Sequence, residues 1–341
     1  MAITIKDIAR EAQVSVATVS RVINHNPSVN PEMAQRVKEV IERNQFCPSD
    51  SARKAAKRST KLIGVIVPDI SNSIFSRLLK GANSILAQYG YNIIVCDSGG
   101  DIEKELHLIN VLYAKGVEGI IFSSPIISEE HLKLVNYNKC PVIFVCQEPL
   151  FPALKNYIHL TVATDNFHAA REVVHFLYRM GHRQIAFLCG PLFDISAGLK
   201  RLQGYKCGLM DLKIPYHDYF VKESKDFSAQ SGYDAMKTLY EECPVLPTAV
   251  FAACDLYAIG AMEFLYDSGV QVPNQISVIG VDDIEVSAIY RPSLTTLRQN
   301  TFEHGSKAAE LLLNAIQVPP TCSEVVYVPY SIIRRRSVRS L

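Results

Sequence analysis

Three short amphipathic segments open the chain, and a long alternation of apolar runs with helical stretches follows. In the first segment Ile5, Ile8, Ala9 and Ala12 recur at helical spacing. Thr4 stands where a helix cap belongs, and Asp7 fits the acidic first turn. "QVS" interrupts, and Ser15 can cap a second helix. That helix, in "VSVATVSRVI", is rich in β-branched residues, which favour strands. Strict alternation fails at Ala17, Thr18 and Val19, however. Helical spacing instead puts Val19, Val22 and Ile23 on one side and Val16, Ala17, Ser20 and Arg21 on the other. The spacing predicts a very short helix held by packing rather than by propensity. After the loop "NHNPSVN", Asn30 or Ser28 starts a third helix, with Pro31 at a tolerated first position. Its apolar face is Met33, Ala34, Val37, Val40 and Ile41. Together these elements predict a helix-turn-helix head over residues 1–46.

From residue 62 the period changes. "LIGVIV", "YNIIVC", "EGIIF", "VIFVC", "QIAFLC", "TAVFAA" and "ISVIGV" are short, nearly continuous apolar runs separated by helical stretches. Such runs read as parallel strands covered on both faces, linked by right-handed βαβ crossovers in an α/β body. Two halves fit: about 62–161 with 291–320, and about 162–290 with 321–335. Between head and body, "CPSDSARKAAKRSTK" (47–61) has no large apolar residue and carries Arg53, Lys54, Lys57, Arg58 and Lys61.

Charge sharpens this division. The 341-residue chain has a net charge of only +1, but residues 1–61 hold eleven Lys and Arg against six Asp and Glu. A basic head on a mildly acidic body points to a polyanionic partner for the head. The outward side chains of the second helix are small apart from Arg21, which suits close approach to a major groove. Nine scattered cysteines without a CxxC pair predict reduced core residues, and no apolar run is long enough for a leader or a membrane span. A cytoplasmic protein with no membrane association is expected.

"TIKDIAREAQVSVATVSRVIN" resembles, nearly residue for residue, the head of LacI/GalR-family transcriptional regulators. The alternating body is similar to the two-lobed, periplasmic-binding-protein-like body of that family, through "PSLTTLRQ" and "SIIRRRSV". The resemblance implies that Val16, Ala17 and Arg21 read operator bases, and that Thr4, Ser15, Thr18, Ser20 and Asn24 contact phosphates. An arginine can bond guanine O6 and N7 together, whereas Val16 and Ala17 offer only methyl contacts. It also implies that the linker lies in the minor groove as a hinge helix, through Arg53, Lys54 and Ala55. Ala55 stands where the family usually has a leucine wedge, and alanine is a poor wedge.

For the body the resemblance implies a small-molecule effector, a sugar or sugar phosphate, between the lobes. Asp282, Arg201, Phe75, Phe227 and Ser123 match its contact positions. A carboxylate accepts from two neighbouring hydroxyls, and aromatic rings stack on sugars or bases. Two residues depart from the pattern: Cys146 stands where many members have aspartate, and Cys254 where many have asparagine. "DISNSIFSRLLKGANSILAQYGYNIIVCDSGGDIEKELHL" is broadly similar to the family's catabolite-control members, which respond to a phosphorylated phosphocarrier protein. The expectation is a homodimeric repressor of double-stranded operator DNA.

A stand-alone sugar-binding or sugar-modifying protein is the rival reading, since such bodies also host catalysts. No GxGxxG, GxxxxGK[ST] or GxSxG occurs, and the histidines form no HxxxH cluster. His182 in "RMGHRQIAFL" reads as a turn residue. No catalytic residue, metal or cofactor is expected.

Overall fold

The computed structural model describes residues 5–23, 29–44, 59–138, 140–147 and 157–341. The chain separates into two compact units, 1–60 and 61–341.

The first unit holds α1 (Ile5–Glu11), α2 (Val16–Ile23) and α3 (Pro31–Arg43). Gln13, at φ 53°, turns the chain between α1 and α2. Ser15 Oγ accepts the Thr18 N–H at 3.0 Å, so the expected cap is in place. Asn30 Oδ1 accepts the Glu32 N–H at 2.8 Å and starts α3 in the same way. Ile8, Ala9, Ala12, Val19, Val22, Val37 and Val40 form the core. The β-branched residues of α2 thus serve packing, and burial outweighs their weak helix propensity. Met33, expected on the apolar face of α3, is instead 42% exposed. The buried stripe runs through Val37 and Val40, and Met33 lies outside it.

The second unit has two lobes, each a six-stranded sheet between helices. Its elements in chain order are β1 (Leu62–Val67), α4 (Ser73–Leu86), β2 (Asn92–Asp97), α5 (Ile102–Ala114), β3 (Gly119–Phe122), α6 (Glu129–Asn138), β4 (Val142–Val145) and β5 (Leu160–Ala163). There follow α7 (Asn166–Arg179), β6 (Ile185–Cys189), α8 (Arg201–Asp211), β7 (Val221–Glu223), α9 (Ala229–Glu242), β8 (Ala249–Ala252), α10 (Asp255–Asp267) and β9 (Ser277–Val281). The last are α11 (Glu285–Ile289), β10 (Thr295–Arg298), α12 (Thr301–Gln317), β11 (Glu324–Tyr327) and β12 (Ser331–Ile333).

Strand order is β11-β5-β4-β3-β1-β2 in the first lobe and β12-β10-β9-β8-β6-β7 in the second. Neighbours are parallel except β10 and β12. The central strands are buried on both faces, which explains their unbroken apolar sequences. In each lobe helices pack backbone to backbone over glycine, one pair in the first lobe and two in the second, where a Cβ on Gly204 (α8) would lie 2.1 Å from the Phe167 carbonyl oxygen (α7). A Cβ on Gly81 (α4) would lie 1.9 Å from the Phe302 carbonyl oxygen, and one on Gly260 (α10) 1.9 Å from that of Ala229.

The chain crosses between lobes three times, after β5, β10 and β11. The expected crossing points near 291 and 321 need correction. Thr295–Arg298 pairs beside β9 in the second sheet, and Glu324–Tyr327 pairs beside β5 in the first. Strands of four residues carry too short a pattern to reveal which sheet they join. His304, buried at the start of α12, ties two crossings. Its Nδ1 lies 3.0 Å from the Asn300 carbonyl oxygen and its Nε2 3.2 Å from Thr164 Oγ1. Burial lowers its pKa to about 4, so the ring is neutral.

Candidate functional site

The head presents the surface its sequence calls for. Val16 is 41% exposed, and Ala17 and Arg21 are exposed on the same side of α2. Ser15, at the N-terminus of α2, is exposed, with its hydroxyl 2.9 Å from that of the half-buried Thr18. Ser20 is half-buried. Short side chains around one long cation leave a helix face that backbone-width objects can approach. Thr4, Asn24, Arg53, Lys54 and Ala55 lie outside the described residues.

In the body, polar groups converge where strands end toward the inter-lobe cleft. Asp282 follows β9. Its N–H donates to Leu297 O at 2.8 Å, and its Oδ1 accepts Gln299 Nε2–H at 2.6 Å. Asp283 holds Arg298 and Arg335 on its carboxylate at 2.7 and 2.5 Å. Arg201, at the start of α8, is buried; its Nε donates to Asn166 Oδ1 at 2.8 Å and its Nη1 to the Ala253 carbonyl. Asp255 accepts from Ile284 N–H (3.0 Å), Ser287 Oγ–H (2.6 Å) and Thr296 Oγ1–H (2.6 Å). Cys146, Asp282 and Asp283 have φ values of 65°, 120° and 59°. Non-glycine residues at positive φ persist where the surroundings over-determine them, and they gather at functional sites.

These groups share one electrostatic field. Burial raises the Asp282 carboxyl above its ordinary range, and the Arg201 charge opposes that rise. Burial and then the Asp282 charge raise Asp255. Burial also raises Asp194, and pushes the Cys146 thiol up to about 12 and the Cys254 thiol up. Both thiols are therefore neutral and offer only weak hydrogen bonds.

Arg201, Asp282, Cys146 and Cys254 are thus brought together. Phe227 stacks on Tyr257 at 5.7 Å, with its ring against Gly190, at the end of β6. Ser123 is buried at the end of β3. Phe75 packs among Ile63, Leu78 and Val162 in the first lobe's core.

The sequence reading missed the bridge between the lobes. Gln147, two residues past β4, donates Nε2–H to Asp194 Oδ1 at 2.7 Å and accepts the Ser196 N–H at 3.3 Å. All three residues are buried. On the other flank Arg77 Nη1 donates to the Asp283 carbonyl at 2.8 Å. Nothing local marks Gln147; only its place just past a strand end is a signal. A surface recess of about 600 Å³ lined by Met262, Tyr266, Val272, Tyr290 and Pro292 shares none of these residues. Among the described residues no helix is long and apolar enough to cross a membrane, and no group of acidic, His or Cys side chains could hold a metal.

A helix-turn-helix unit and, in the same chain, a two-lobed α/β body with polar groups converging between its lobes define a class: a DNA-binding regulator with an effector-binding body. Residues 4–49 match the "Bacterial regulatory proteins, lacI family", and residues 174–338 a "Periplasmic binding protein-like domain". The chain belongs to the lacI family of transcriptional regulators. It is 37% identical over 339 residues to catabolite control protein A of Priestia megaterium, covering 99% of this chain and 100% of that one. It is 35% identical over 346 residues to the HTH-type transcriptional regulator RegA of Clostridium acetobutylicum, covering 99% and 100%. Its fold is similar to that of a transcriptional regulator CelR–cellobiose complex (TM-score 0.75, 27% identity, 98% and 99% covered). It is also similar to the lac repressor dimer bound to operator and the anti-inducer ONPF (TM-score 0.73, 28% identity, 99% and 100% covered).

Proposed function

We propose that this regulator is a cytoplasmic homodimeric repressor that reads a near-palindromic operator through Val16, Ala17 and Arg21. One observation carries the reading: α2 exposes small side chains around a single arginine, with Val19 and Val22 turned into the core. Ser15, Thr18 and Ser20 orient the head on the phosphates, joined by Thr4 and Asn24. Arg53, Lys54 and Ala55 follow the minor groove. The test is Arg21→Ala. Specific binding should weaken by about 1–3 kcal/mol while random duplex is bound almost as before. Equal loss on both duplexes reduces Arg21 to a phosphate contact.

The effector of this reading is a small molecule in the cleft, a sugar or sugar phosphate. Asp282 accepts its hydroxyls, Arg201 donates to it, and Phe227 supplies a ring face, with Ser123 and Phe75 on the first lobe. The ligand acts through unequal affinity for two lobe arrangements. A thermal-shift screen of pentoses, hexoses, disaccharides, their phosphates and purines tests this. Asp282→Asn should abolish any shift found, and an unchanged shift refutes the assignment.

A second reading has a phosphorylated phosphocarrier protein as co-regulator. The Gln147–Asp194 bridge favours it, because the two lobes' own buried side chains bond to each other across the inter-lobe space. Surface plasmon resonance with phosphorylated and unphosphorylated phosphocarrier decides; equal responses discard it.

A further inference from the structure

Lys61, the first residue of the body, is exposed, yet its N–H, its carbonyl and its ammonium are all held. Its N–H donates to Glu118 Oε1 at 2.9 Å, and its carbonyl accepts the Asn92 N–H at 2.8 Å. Its ammonium lies 4.2 Å from the centre of the Tyr91 ring. The Tyr91 hydroxyl donates to the other Glu118 oxygen, Oε2, at 2.8 Å. The N–H of Glu118 in turn donates to the Leu62 carbonyl at 2.8 Å. Three chain segments therefore meet here: the start of β1, the turn before β2 and the turn before β3. Burial and the Glu118 carboxylate hold the Tyr91 pKa up to about 12, so its hydroxyl remains a donor.

Lys61 also has φ 51°, a left-handed conformation in a residue with a side chain. Such a backbone persists only where its neighbours over-determine it. Here the determinants are Glu118 and Tyr91, and what they determine is the course of the chain at the end of the basic linker. Half-site spacing on a duplex is set by the helical repeat. A linker released in any direction offers its head over a wide volume. A linker released in one direction raises the effective concentration of the second head once the first is seated.

We propose that Glu118 and Tyr91 are positioning residues for operator binding, fixing the direction in which the linker leaves the body. The proposal rests on the dimeric operator reading above.

The test uses full-length Lys61→Gly, Glu118→Gln and Tyr91→Phe. The probes are an operator duplex enriched by the wild-type protein from genomic fragments and a random duplex of equal length. Each variant should bind the operator about tenfold more weakly, while Glu118→Gln and Tyr91→Phe change random-duplex binding less than about twofold. Lys61→Gly should melt at or above the wild-type temperature, since glycine accepts a positive φ without strain. A merely structural role predicts the reverse pairing, lower melting with intact operator binding. Unchanged operator binding by folded variants overturns the proposal. So does an equal fall on both duplexes, which marks Lys61 as a phosphate contact. Should Glu118→Gln melt early, Tyr91→Phe, which keeps the ring, decides. Sedimentation of the wild-type protein on its operator separates failure of the clamp from failure of the dimer.

Discussion

The two lobes share an architecture yet bring different chemistry to the cleft between them. Each is a six-stranded, largely parallel sheet flanked by helices tightened over glycine. The second lobe supplies Arg201, Asp194, Asp255 and Asp282. The first offers the uncharged Gln147, Cys146 and Ser123, with a single cation, Arg77, on the flank. Equal folds therefore carry unequal side chains: buried carboxylates on one lobe, mostly neutral groups on the other. The divergence sits at strand ends, where a substitution leaves the sheet intact.

The largest expected effect tests how far the second lobe depends on its buried acids. Asp255→Ala leaves the Ile284 amide and the Ser287 and Thr296 hydroxyls without their acceptor. It should cost about 3–5 kcal/mol in denaturant unfolding. A loss below that seen on truncating Ser123 in the first lobe would erase the contrast. Next come the helix pairs. Gly81→Ala and Gly260→Ala each drive a methyl group into a backbone carbonyl and should each cost about 2–3 kcal/mol. The two losses should match closely, because the crossings are built alike. A large difference in chemical denaturation would show that the lobes are unlike in packing as well as in chemistry.

Titration sharpens the comparison, because the two lobes should respond with opposite sign. His304, on a first-lobe helix, has its pKa lowered to about 4. The fold disfavours its charged form. Its contribution is complete above the unfolded value and is lost as pH falls from about 6.5 toward 4, at most about 3–4 kcal/mol. Asp255 and Asp282 are raised, so the fold favours their protonated forms. Their contribution is present at acidic pH and is lost as pH rises past the ordinary carboxylate range. Melting curves from pH 4 to 8 should show His304→Gln flattening the acid limb and Asp282→Asn the neutral limb. The smallest effect belongs to the thiols. Cys254→Ser keeps the acceptor that caps α10 through the Tyr257 N–H and should change stability by less than about 1 kcal/mol. A larger loss would give Cys254 a packing role that serine's smaller oxygen cannot fill.

Much of this was legible in the residues. The unbroken apolar runs gave the parallel strands because both faces of each central strand are covered. Ser15 gave the start of α2, and the helical spacing of Val19 and Val22 outvoted their strand preference. Strand-end position together with family resemblance singled out Asp282, Arg201, Cys146 and Cys254, which do converge. Gln147 and Asp194 stayed hidden because their bond joins positions 47 residues apart in different lobes. Neither residue type is unusual where it stands. The membership of β10 and β11 was misjudged because four residues cannot declare a partner.

The triple crossing has a consequence for biosynthesis. The first sheet borders on β11, and α12 covers α4, so the first lobe is finished by residues 301–327. A ribosome making this chain releases the whole second βαβ half before the first can be sealed. Neither half can mature as an independent nascent unit, and a nick in the 299–330 stretch should damage both halves at once.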